Sequence, residues 1–157
     1  MILPSAADTW KLGRRLADVL VAGDLVLLTG PLGAGKTVLA QGIGAGLGVP
    51  GRLTSPTFVI AREHAGGRLP LIHVDAYRLG RPAEVDDLDL DAAGSVTVVE
   101  WGAPLAAQLA ESHLEIRLER SAADESRRAD LLPSGGTWPQ RVAGLLGTTA
   151  ADAGPSG

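Results

Sequence analysis

The sequence predicts a three-layer α/β domain built on a mixed, mostly parallel sheet that contains a β-hairpin. Three observations carry this reading. Short apolar, partly β-branched runs such as Leu25 to Thr29 and Val96 to Trp101 have the length and composition of strands buried on both faces. Helical patterns occupy the stretches before and after the first of these runs. Finally, Gly66-Gly67 separates two strand-like runs, Thr57 to Glu63 and Leu69 to Asp75, at hairpin spacing. Strand, helix and hairpin in this mixture fit a layered sheet better than a strictly alternating βαβ fold.

Taken in order, Ser5 with Asp8 forms a capping pair ahead of Leu12, Leu16, Val19 and Leu20 at helical spacing. This predicts a helix from Ser5 to about Ala22, stopped by Gly23. Leu25 to Thr29 follows as a buried strand, then a glycine-rich turn, then a helix from Lys36 to Leu47 closed by Gly48 and Pro50. After the hairpin, the acidic stretch Pro82 to Leu90 has helical character and reads as a solvated helix start or a surface for a basic partner. Its acids lack the D-x-D-x-D-G pattern of a calcium loop. Val96 to Trp101 and Leu114 to Leu118 are strands with a helical stretch, Pro104 to Ala110, between them. Arg128 to Leu132 reads as an edge strand and Trp138 to Leu146 as the last helix. One domain over residues 1–146 is expected, with 147–157 a disordered tail of Gly, Ala, Thr and Pro.

Composition narrows the chemistry. A chain of 157 residues can bury roughly 70% of the surface that its unfolded form exposes, enough for a core without staples. With no Cys there is no disulfide framework, thiolate metal cage or cysteine nucleophile. A net charge of -4 argues against a large electrostatic footprint for nucleic acid. Apolar runs such as Leu25 to Leu28 fall far short of the ~20 residues that span a bilayer, and Met1 to Ser5 lacks the pattern of a signal peptide. These features lead us to expect a cytoplasmic protein without a membrane partner. Only two of the 14 basic residues are lysines, Lys11 and Lys36, so each invites a reason.

Lys36 has one. Gly30-Pro31-Leu32-Gly33-Ala34-Gly35-Lys36-Thr37 matches G-x-x-x-x-G-K-[ST], the phosphate-binding loop, between a predicted buried strand and a predicted helix. From this composition the pattern arises by chance in roughly 4 of a thousand such chains. Glycines let successive amides turn inward around phosphate oxygens at a helix N-terminus whose dipole favours an anion. Lys36 is expected to reach the β- and γ-phosphates of ATP, and the Thr37 hydroxyl to ligate Mg²⁺. The expected architecture is accordingly a P-loop NTPase fold.

Such a site also needs a carboxylate near the metal, usually at the end of a neighbouring strand. Asp75 after Leu71-Ile72-His73-Val74 and Glu100 after Val96-Thr97-Val98-Val99 both qualify, and either could instead face solvent. Thr54-Ser55-Pro56-Thr57-Phe58 lies where a switch-like loop often sits; its hydroxyls could meet the metal or the γ-phosphate, or form a plain polar turn. His73 shares a strand face with Asp75 and reads as a packed or hydrogen-bonded histidine rather than a ligand.

Together these segments resemble the bacterial TsaE family of tRNA threonylcarbamoyladenosine biosynthesis proteins, the YjeE-type P-loop ATPases. Matching pieces stand in order: Leu32-Gly33-Ala34-Gly35-Lys36-Thr37, Gln41-Gly42, Leu47-Gly48, Ser55-Pro56-Thr57-Phe58, His73-Val74-Asp75-Ala76-Tyr77-Arg78-Leu79 and Val99-Glu100-Trp101. The resemblance covers most of residues 5 to 135. It implies a weak, Mg²⁺-dependent ATPase that supports or resets two partners, the TsaB and TsaD proteins. Those partners transfer a threonylcarbamoyl group to the adenosine beside the anticodon in tRNAs reading codons that begin with A, so tRNA is met only indirectly. It further implies that Lys36, Asp75 and Glu100 are catalytic, and that Thr37 and Glu100 hold the metal. Nucleotide contacts are implied for Gly33, Ala34, Gly35, Lys36, Thr37, Thr54, Trp101 and Thr9. Where the family commonly has Asp, this chain has Pro31, so a contact made by that carboxylate is absent. Past Ser121 the resemblance is weak, and either Arg127 or Arg128 could approach the nucleotide.

From the residues alone, the rival is a small-molecule kinase of the P-loop type, which usually carries an Arg-rich lid. Arg120, Arg127 and Arg128 sit among Ser, Ala, Asp and Glu without evident lid architecture, and no arginine finger is identifiable in cis. A GTPase wants a base-reading motif such as N-K-x-D, and the chain has no Asn.

Overall fold

The structure is a computed structural model that describes residues 1–31, 33–50, 61–75, 93–100 and 112–152. Seven strands, β1 (Ile2–Leu3), β2 (Leu25–Thr29), β3 (Ala61–His64), β4 (Leu71–Asp75), β5 (Val96–Glu100), β6 (His113–Arg120) and β7 (Arg127–Ser134), form one sheet in the order β1-β7-β6-β2-β5-β4-β3. The helices among the described residues are α1 (Ala6–Ala17), α2 (Lys36–Leu47) and α3 (Trp138–Asp152).

The centre of the sheet is parallel: β2 runs alongside both β5 and β6, and β4 alongside β5. Both flanks are antiparallel, with β3 on β4 and β7 on β6. A parallel strand must be covered on both sides, and all five residues of β2 and of β5 are buried. Each aliphatic side chain of β2 removed from water contributes roughly 1.5–3 kcal/mol. Alternation sends Val26, Leu28, Val98 and Ile116 into one core with Leu12 and Leu16 of α1, Leu39 and Ile43 of α2, and Trp138 and Val142 of α3. The described helices thus cover one face. Leu27, Ile72, Val74 and Val99 on the other face are also buried. The helical stretches expected at 82–90 and 104–110 lie outside the described residues.

The start of α1 follows the sequence closely. Asp8 N–H donates to Ser5 Oγ and Ser5 N–H donates to Asp8 Oδ2 at 3.0 Å, a reciprocal capping box. Its end does not: the helix stops at Ala17 rather than near Ala22. Tertiary partners take the terminal carbonyls, since Arg68 donates to Ala17 O at 2.7 Å and Leu20 O at 3.0 Å, while Arg141 donates to Val19 O at 3.0 Å. Leu20 remains buried although it has left the helix, so its apolar spacing reported burial and not backbone conformation.

α1 and α2 pack with backbones nearly touching. A Cβ at Gly13 would run into the Leu39 carbonyl oxygen, and one at Gly42 into that of Trp10. Further boundaries differ from expectation at β7 and α3. β7 spans Arg127–Ser134 and is interior, because Ile2 and Leu3 pair with Arg128 and Arg127 as a two-residue edge strand too short to leave a sequence pattern. α3 continues to Asp152 instead of ending at Leu146, into the stretch expected to be disordered. Apolar periodicity ends there, but no Pro follows until Pro155, and Ala and Thr can carry the backbone onward. In the hairpin β3 begins at Ala61, and the preceding residues 57–60 lie outside the described ones. Among the described residues no helix is long and apolar enough to cross a membrane.

Candidate functional site

The carboxyl end of β2 runs into the glycine loop, and the loop runs into α2. Gly33 and Gly35 hold the positive φ values 79° and 104°, where a side chain would be strained. Gly35 is also the N-cap of α2, and it brings no side-chain capping bond; nor does any acidic residue occupy the first turn. No side chain thus meets the first-turn amides or the positive end of the helix dipole at this terminus, a place that favours an anion. Lys36, buried at 5% exposure, folds back so that Nζ donates to the carbonyls of Gly30 at 2.8 Å and Pro31 at 2.9 Å. Ala34 is fully buried within the same loop.

One residue into α2, Thr37 Oγ1 donates to Glu100 Oε1 at 3.2 Å. Glu100 ends β5 at 4% exposure, and its second oxygen, Oε2, lies 2.7 Å from His73 Nε2 on β4. Parallel pairing sets Asp75 opposite Glu100, so both candidate acids end neighbouring strands at the same edge. Two oxygens, one hydroxyl and one carboxylate, converge beside the start of α2. They are hard donors of the kind that suits Mg²⁺, which is usually held by one or two protein oxygens with the rest supplied by water and phosphate. No group of three or more His, Asp and Glu side chains able to hold a metal by itself occurs among the described residues.

The sequence left Arg127 and Arg128 undecided, and the strand separates them. Arg127 comes beside the loop: a methyl built on Gly35 would sit 3.5 Å from Arg127 Nε and 3.5 Å from Thr9 Cγ2. Arg128, on the opposite face, reaches Asp130 at 3.3 Å in an exposed pair. Arg127 Nε is buried and has no hydrogen-bond partner among the described residues. An unpaired buried N–H of this kind is costly, and an anion at the α2 terminus would satisfy it. Arg120, the register partner of Arg127, stands near Gly33, with Nη1 4.0 Å from a methyl placed there. Neither arginine belongs to a motif, because β6 and β7 bring them to the loop from about ninety residues away, a fold-level event.

Thr9 is buried and its methyl faces Gly35, while its hydroxyl donates to Ser5 O at 3.4 Å. The structure therefore brings Thr9, Gly33, Ala34, Gly35, Lys36, Thr37 and Glu100 together, with Asp75 at the adjoining strand end. Thr54 and Trp101 lie outside the described residues.

Comparison with known proteins gives a consistent picture. The sequence model of the family described as threonylcarbamoyl adenosine biosynthesis protein TsaE matches residues 3–129. The tRNA threonylcarbamoyladenosine biosynthesis protein TsaE of Streptomyces coelicolor is 54% identical over 136 residues, covering 82% of this chain and 92% of that protein. Its Bacillus subtilis counterpart is 38% identical over 121 residues, 75% of each chain. Among solved structures, the crystal structure of Bacillus subtilis YdiB superposes with a TM-score of 0.78 at 29% identity, covering 95% of this chain and 94% of that one.

Proposed function

The chain belongs to the TsaE family of threonylcarbamoyl adenosine biosynthesis proteins, and from that premise we propose that it binds and slowly hydrolyses ATP with Mg²⁺. In this role it supports the TsaB and TsaD proteins, which transfer threonylcarbamoyl to the adenosine beside the anticodon. The chain makes no transfer itself and meets tRNA through those partners.

The observation that carries the reading is the uncapped start of α2 with Lys36, Thr37 and Glu100 gathered around it. Phosphate oxygens fit there, taking the loop amides and drawing Lys36 Nζ from the Gly30 and Pro31 carbonyls. Thr37 and Glu100 would hold Mg²⁺, which when bound neutralises charge on the β- and γ-phosphates. Arg127 adds a half-buried guanidinium, with its Nε buried, on the side of Thr9 and Gly35. Asp75, from the neighbouring strand end, assists the metal shell or orients water; Thr54 and Trp101 complete the nucleotide contacts. Hydrolysis under this scheme is positioning plus electrostatics, without a covalent intermediate on the protein.

The kinase alternative loses ground on one observation. Arg120 and Arg127 sit on β6 and β7, fixed members of the sheet, and not on a separate lid.

Steady-state ATP hydrolysis by Lys36→Ala and Glu100→Ala tests the proposal. Each is expected to fall by about a hundredfold or more with the fold intact by circular dichroism. Full turnover in both variants would overturn the assignment. Co-purification with the TsaB and TsaD proteins in ATP against ADP tests the assembly role, and nucleotide-independent retention would remove it.

A further inference from the structure

We infer that His73 is a positioning residue for Glu100: its imidazole pins one carboxylate oxygen so that the other stays aimed at Thr37. The inference rests on the reading of Thr37 and Glu100 as the groups that face a divalent cation. A carboxylate only accepts hydrogen bonds, so His73 Nε2 is the donor in the 2.7 Å contact to Glu100 Oε2. Oε1 takes the Thr37 hydroxyl at 3.2 Å. A free glutamate side chain has three soft torsions and samples many rotamers, whereas one bound at both oxygens is held in plane and direction.

The sheet makes this arrangement possible. His73 is opposite Val98 in the parallel register, so Glu100, two residues on, emerges on the same face and within reach. The price is visible at the other end of the ring: His73 is fully buried, yet Nδ1 has no partner among the described residues. Leucine or valine would fill an interior strand position without stranding a nitrogen, as Ile72 and Val74 on either side do. The imidazole earns its place through Nε2. Residues that orient a metal-facing ligand commonly govern metal affinity by 10–100-fold when removed.

Binding of Mn²⁺ to the full chain with saturating ADP, followed by loss of the free-ion electron paramagnetic resonance signal, provides the test. His73→Phe keeps a ring but removes the donor; His73→Gln keeps an N–H that can reach Oε2. The Phe variant is expected to bind Mn²⁺ roughly tenfold more weakly or worse. Its ADP affinity in EDTA should stay within about twofold of wild type, and the Gln variant should recover Mn²⁺ affinity to within about threefold. Unchanged Mn²⁺ affinity in the Phe variant overturns the inference, as does a folded Gln variant as weak as Phe. Should Phe not fold, His73→Asn, whose amide is too short to bridge to Oε2, takes its place with the same expectation. Wild type that takes up no Mn²⁺ with ADP overturns the cation-facing reading of Thr37 and Glu100 and this inference with it. A wild type that binds alongside unaffected variants overturns this inference alone.

Discussion

At the scale of single residues, the site depends on side chains whose partners come from distant parts of the chain. Arg127 is the clearest case, because its buried Nε lies beside Gly35 without a partner among the described residues. If an anion completes that bond, Arg127→Ala should weaken ATP binding by about tenfold, since a charged hydrogen bond contributes roughly 1.5–3 kcal/mol. Arg128→Ala, at an exposed pair, should change it less than twofold. Titration with a fluorescent ATP analogue checks both, and equal effects would undo the distinction. Lys36 and Thr37 were legible from the motif because loop geometry is local. The choice between Arg127 and Arg128 was not, because it depends on which face of β7 meets the loop.

At the scale of elements, the contact between α1 and α2 holds Thr9 against the glycine loop. That contact is backbone to backbone at Gly13 and Gly42. Ala at either position forces the helices apart, and overpacking of this kind costs typically 1–3 kcal/mol. Urea denaturation of Gly13→Ala and Gly42→Ala should show a loss in that range, with Gly144→Ala, whose added Cβ meets nothing within 4 Å, neutral or slightly stabilising. Helix α2 was read from the sequence with its observed bounds, since a glycine stands at each end in left-handed conformation. The end of α1 was misread because Arg68, from the hairpin, takes the Ala17 carbonyl, and Arg141, from α3, takes that of Val19 just beyond the helix.

At the scale of the molecule, α3 is fastened to the opposite end of the chain. Arg141 forms a forked pair with Asp24 at 2.6 and 3.0 Å and stacks on Trp138 with its guanidinium 3.8 Å from the ring centre. Asp24 is 7% exposed and also accepts the Val21 N–H at 2.7 Å. Arg141→Ala strands that carboxylate and should cost about 3 kcal/mol of stability, while Asp24→Asn with Arg141→Met should recover a good part of it. Chemical denaturation of the two variants decides, and an Arg141→Ala protein as stable as wild type would show that α3 docks on apolar contacts alone.

What the sequence determined by itself is the set of features that need only near neighbours. These are the buried strands, the capped start of α1, the glycine loop opening α2, and the family to which the chain belongs. Tertiary structure alone decided the strand order, the two-residue β1 that makes β7 interior, the arrival of Arg120 and Arg127 at the loop, and the bond from His73 to Glu100. The physical reason is range. Caps, turns and periodic burial are written within a few residues, whereas sheet register joins residues far apart in the chain, and register is what turns a strand-end acid and a buried histidine into one site.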